Sequence, residues 1–141
     1  MAELLRRNFD VYLTLVDDQQ IDCVIRLDGR PPVYLDVQIK ARSKKAKHPG
    51  TFAALEVRKP RSNFFFIFYS EPIDTYWVVP SLELVKKAYR NKSGENVGKY
   101  RVDVASVLRD GTVRPLPRWL EYKDSFELLQ SVKSTRKKKR R

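Results

Sequence analysis

An acid at Asp22 and, after a gap of fifteen residues, the run Gln38-Ile39-Lys40 place a carboxylate, an amide and an amine on two stretches that read as adjacent strands. Hard oxygen donors suit a divalent cation such as Mg²⁺ that keeps part of its water shell. An ammonium beside them suits a phosphate. Together these residue types could hold a metal and a phosphodiester.

The elements that must position them are short and strongly patterned. Ile21–Leu27 and Val33–Ala41 alternate apolar and polar residues at the period of a pleated strand. In the second stretch Val33, Leu35, Val37 and Ile39 face one way, and Tyr34, Asp36, Gln38 and Lys40 the other. The link Asp28-Gly29-Arg30-Pro31-Pro32 is a hairpin signal, so the two strands are expected to pair antiparallel and bring Asp22 near Gln38 and Lys40.

Asp22 with Gln38-Ile39-Lys40 resembles the D-x(n)-(D/E/Q)-x-K core of the PD-(D/E)xK nuclease superfamily, and Gln in place of Glu is similar to the Mrr-type branch. Archaeal Holliday-junction resolvases share the layout. The resemblance covers residues 2–80, from the Ala2–Arg7 helix end to Tyr76-Trp77-Val78-Val79-Pro80. It implies a restriction-endonuclease-like core that binds DNA and hydrolyses phosphodiesters with Mg²⁺, or with Mn²⁺ in its place. It assigns Asp22 and Gln38 as metal ligands, with the Ile39 carbonyl as a third. Lys40 becomes the cation that activates water or stabilises the transition state. Asp36 is a further candidate carboxylate ligand, and Glu3 the candidate for the family's catalytic helical glutamate. Relatives commonly act as dimers, so a homodimer is expected.

The rest of the chain is read as follows. Phe9–Val16 alternates as a first strand, followed by a polar turn over Asp17–Gln20. The loop Ala41–Gly50 carries Arg42, Lys44, Lys45 and Lys47 at the mouth of the site, where phosphate contact is expected; His48 reads as a surface residue. Thr51–Val57 fits a strand or a helical turn. Asn63–Ser70 is apolar on both faces, which predicts a strand covered on both sides, paired with Ile73–Val79. Its aromatic residues read as core rather than as a base-stacking platform. Ser81 is expected to cap a helix over Leu82–Tyr89, followed by an Asn91–Gly98 loop. Tyr100–Leu108 alternates, Asp110-Gly111 marks a turn, and Arg114–Arg118 reads as loop. Asp124 and Glu127 form a capping-box pattern for a last helix, Ser125–Val132. These elements predict an α/β chain of mixed α+β type, with a central mixed sheet flanked by helices.

The 141 residues, 42% hydrophobic and 11% aromatic, fit one domain over residues 1–132 with a basic tail over 133–141. No apolar run reaches membrane-spanning length and no secretory leader is visible. The one cysteine, Cys23, cannot form an internal disulfide, which suits a reducing cytoplasm. The net charge is +12, of which seven lie in Lys133–Arg141, leaving +5 on residues 1–132. A surplus of that size favours a polyanionic partner; the resemblance implies DNA ahead of RNA and a place in the cytoplasm near the nucleoid. Two other readings fit the same residues: a nuclease-like module that has lost hydrolysis and only binds nucleic acid or a partner protein, and a basic protein on structured RNA.

Overall fold

The computed structural model describes residues 1–15 and 20–132. The basic tail and most of the Asp17–Gln20 turn lie outside the described residues. In chain order the elements are helix α1 (Ala2–Arg6) and strands β1 (Asp10–Leu13), β2 (Cys23–Leu27), β3 (Val33–Arg42), β4 (Thr51–Leu55), β5 (Phe64–Ser70) and β6 (Thr75–Pro80). Helix α2 (Ser81–Lys87) follows. Then come β7 (Tyr89–Arg90), β8 (Tyr100–Asp103), β9 (Ala105–Val107), β10 (Val113–Pro115) and a 3₁₀ helix over Pro117–Tyr122.

Five strands form the main sheet in the order β1-β2-β3-β5-β6. β2 and β3 pair antiparallel from Cys23 opposite Val37 to Leu27 opposite Val33, the hairpin expected from the alternation. β3 and β5 run parallel, with Gln38 beside Phe66 and Lys40 beside Phe68, whereas β5 and β6 are antiparallel. The sheet is therefore mixed, with few and short helices around it. A parallel neighbour requires a crossover. Here the crossover carries a strand, β4, which joins β8 and β7 in a second, three-stranded sheet.

Strand alternation sorts the core into two layers. Cys23, Ile25, Leu35, Val37, Ile67 and Val78 pack on one side with Leu4 of α1 and with Phe126 and Leu129. Phe64, Phe66, Phe68, Trp77 and Val79 pack on the other, beneath Phe52, Leu55, Leu84, Val102, Trp119 and Tyr122. The aromatic run of β5 is core, as its apolar pattern predicts. Gly50 joins the second layer to β9: a Cβ there would lie 2.2 Å from the Ala105 carbonyl oxygen, so only glycine fits.

Four local expectations are corrected. Ser81 does not cap α2; its hydroxyl accepts the Arg61 N–H at 3.0 Å and donates to the Arg61 carbonyl at 2.9 Å, pinning the crossover instead. Tyr100–Leu108 is not one strand. Buried Val104 changes partner: its N–H donates to the Gly50 carbonyl beside β4, whereas its carbonyl accepts the Leu116 N–H beside β10, and β8 and β9 enter different sheets. Arg114–Arg118 is not loop, because Val113–Pro115 pairs with β9 and the 3₁₀ helix begins at Pro117. Asp124 forms no capping box: it takes a left-handed φ of 51°, accepts the Tyr76 N–H, and leaves the helix to begin at residue 127. The ambiguity at Thr51–Val57 resolves as a strand with a bulge between Phe52 and Leu55, where Ala54 has φ 55°.

Candidate metal and nucleic-acid site

β2 and β3 deliver the site. The last pair of their ladder is Cys23 with Val37, and the Asp22 N–H still reaches the Val37 carbonyl at 2.9 Å. Beyond that point a side chain replaces the ladder: Asp22 Oδ2 accepts the Ile39 N–H at 2.6 Å. The contact fixes the carboxylate against β3, opposite Gln38. The other carboxylate oxygen accepts no hydrogen bond among the described residues.

Gln38 is 8% exposed, and its Oε1 is fully buried with no hydrogen-bond partner. A buried amide oxygen left unpaired costs about 1–3 kcal/mol. Its strand neighbour on the same face is Phe66, which supplies no donor. Lys40, two residues on and half-buried, forms no ion pair among the described residues. Gln38 and Lys40 thus share one face of β3, and Asp22 is held against that strand between them through the Ile39 N–H.

The other candidates are placed differently. Asp36 lies on the same face, but Arg61 holds its Oδ2 at 2.5 Å. Arg61 also donates to the Lys59 carbonyl and lies over the Phe64 ring. Glu3 sits on α1, whose Leu4 packs against the opposite face of the sheet, so the fold does not bring Glu3 to the Asp22 group. Its carboxylate is engaged by Arg6 and Arg7, and the hydrogen bond from Arg6 leads in holding its pKa below the usual value. Arg42 reaches the Thr51 carbonyl at 2.7 Å and covers the Phe52 ring, a role in joining the two sheets. Lys44, Lys45 and Lys47 are exposed on the loop after β3 and form no ion pair among the described residues.

Among the described residues no three or more His, Cys, Asp or Glu side chains come together as a metal cluster. A cation here has to use the Gln38 amide. The orphaned Oε1 fits that role, since a hard cation accepts amide oxygen beside carboxylate. Sequence reasoning missed the crossover stretch Arg58-Lys59-Pro60-Arg61. The basic run was visible, but nothing local revealed that it crosses the face carrying Asp36 and meets Gln20 just before Asp22.

No protein-family model and no curated protein sequence matches the chain. By structure it is similar to a bacterial homing endonuclease, I-Ssp6803I, at TM-score 0.63 and 19% sequence identity, over 96% of this chain and 88% of that one. The likeness is one of fold, and in this chain that fold is a mixed central sheet with few helices.

Proposed function

We propose that the chain is a DNA-binding, metal-dependent endonuclease of the PD-(D/E)xK type with a Gln-x-Lys motif, close to the Mrr-like branch. The observation that carries the reading is the buried, unpartnered Gln38 Oε1 beside a carboxylate locked to β3 by the Ile39 N–H. Asp22 and Gln38 are the residues that would hold the cation. A bound Mg²⁺ supplies polarisation of a phosphate oxygen and a more acidic water. The chain's own part is to fix the two oxygen donors and to aim the Lys40 ammonium at the charge that develops on the phosphate. Exposed Lys44, Lys45 and Lys47 add backbone affinity beside them.

The test is cleavage of plasmid, linear and branched DNA with Mg²⁺ or Mn²⁺, run beside Lys40→Ala and Asp22→Ala. Each variant is expected to lose ~10²-fold or more of the rate while keeping the fold. Cutting that survives both substitutions would sink the reading.

One observation favours a second reading, a module that binds nucleic acid without cutting. Asp36 is paired with Arg61, so a single free carboxylate and a neutral amide remain for a cation. Salt-sensitive binding with no cutting, by the native chain and both variants alike, would select it.

A further inference from the structure

β7 and β8 form a two-stranded ribbon at the far side of the second sheet, Tyr89 opposite Arg101 and Arg90 opposite Tyr100. Each pair sets a cation over a ring: Arg101 lies 5.1 Å from the Tyr89 centroid and Arg90 5.8 Å from that of Tyr100. The loop between the strands is held by its own backbone. Asn91 N–H donates to the Lys99 carbonyl at 2.9 Å and Gly98 N–H to the Asn91 carbonyl at 2.8 Å, with Gly94 and Gly98 in the left-handed region.

The ribbon carries Arg90, Lys92, Lys99 and Arg101 against Glu95 and Asp103. Arg101 is paired with Asp103, whereas Arg90, Lys92 and Lys99 form no ion pair among the described residues. Val97, exposed, stands in the loop between the basic residues. A preformed, cationic hairpin with an apolar tip is the kind of element that the B-DNA major groove admits, and apolar side chains there contact the thymine methyl.

Its position ties it to the candidate site. Tyr100 pairs with Leu55 of β4 on one side and with Arg90 on the other. Immediately after Leu55, Glu56 accepts a hydrogen bond from the Gln20 side chain, and the Arg58 N–H donates to Gln20 Oε1. Gln20 lies two residues before Asp22. The root of the ribbon and the candidate metal ligand are therefore linked through one short segment.

We propose that the β7–β8 ribbon enters the major groove of B-form DNA while the neighbouring backbone lies at Asp22, Gln38 and Lys40, with Arg90, Lys92 and Lys99 on phosphates. The proposal rests on the nucleic-acid reading above and specifies its substrate as duplex DNA. The deep, narrow major groove of duplex RNA does not admit such a ribbon.

The experiment measures binding to a DNA duplex and to an RNA duplex of the same sequence across a salt series, without divalent metal so that no cutting intervenes. The native chain is compared with the surface triple variant Arg90→Gln, Lys92→Ala, Lys99→Ala, whose melting is followed to establish that it folds. For DNA, the slope of log affinity against log salt is expected to fall by about 0.9 per lost contact, hence about 2.7. The RNA slope should stay within one contact of the native value, and methylation of dG N7 should interfere with DNA binding by the native chain only. An unchanged DNA slope, or equal losses on DNA and RNA, overturns the ribbon's role. The two readings fail separately: native cutting with an unchanged slope removes the ribbon and leaves the nuclease, whereas slope loss without any cutting does the reverse.

Discussion

β3 and β5 lie side by side, parallel and in register, yet they are built on opposite plans. β5 is buried along nearly its whole length, with aromatic side chains toward β4 and β8 and Phe65 and Ile67 toward the α1 layer. β3 buries Val33, Leu35 and Val37 on one side and offers Asp36, Gln38 and Lys40 on the other. The contrast is sharpest at one register pair. Phe66 is 0% exposed and its ring lies 5.0 Å from Phe64 and 5.9 Å from Phe68; beside it Gln38, nearly as buried, leaves an oxygen without a partner. Phe52, Leu55 and Val102 of the second sheet pack in one cluster with Phe64, Phe66 and Phe68, whereas on β3 Asp36 and Lys40 stay half-buried beside Gln38.

The largest effect tests the packed half of the comparison. Phe66→Ala is expected to cost about 3–5 kcal/mol, from lost burial and a cavity that neighbouring rings cannot fill. That is a large part of the ~5–15 kcal/mol typical of a domain, and a urea titration reads it directly. A loss below 1 kcal/mol would mean that β5 is not the closed core described.

Gln38→Leu tests the other half and should act in the opposite sense. Removing an unpartnered buried amide leaves stability unchanged or raises it by up to about 2 kcal/mol. If Gln38 is kept for function, the same variant loses metal-dependent cutting. A substantial drop in stability would show that Oε1 has a partner in solution, and the two strands would then differ less than they appear.

The β2–β3 hairpin was legible in the sequence because alternation, a glycine link and strand length agree, and a period of two fixes which residues share a face. That logic placed Asp22, Gln38 and Lys40 together. It did not reveal how deeply Gln38 is buried, since burial depends on residues distant in the chain, Phe66 among them. Nor did it show Asp36 paired with Arg61, twenty-five positions away, which local pattern cannot reach. Tyr100–Leu108 misled for a physical reason: the alternation runs on through Val104, and the change of partner there, from Gly50 to Leu116, is made by residues distant in sequence. The ribbon was hidden because Tyr89 looked like the end of the preceding helix. Two residues carry no periodicity.

The smallest expected effect compares two neighbouring residues at the start of β2, Asp22 just before it, bonded to the Ile39 N–H, and Cys23 in the closed layer under α1. Cys23 is 0% exposed, and burial raises its thiol pKa to about 11 from an ordinary 9.0. Burial disfavours the thiolate, so the fold holds the proton that the unfolded chain releases first. The stability this contributes is fully present below pH 9.0 and declines as pH rises through about 11. At pH 8 the thiolate is scarce and shielded, so a disulfide reagent should modify Cys23 only as fast as the chain opens, and rapidly once urea unfolds it. Rapid reaction of the native chain would show that the layer under α1 opens readily. The face bearing Gln38 and Lys40 would then no longer be the more accessible side of the sheet.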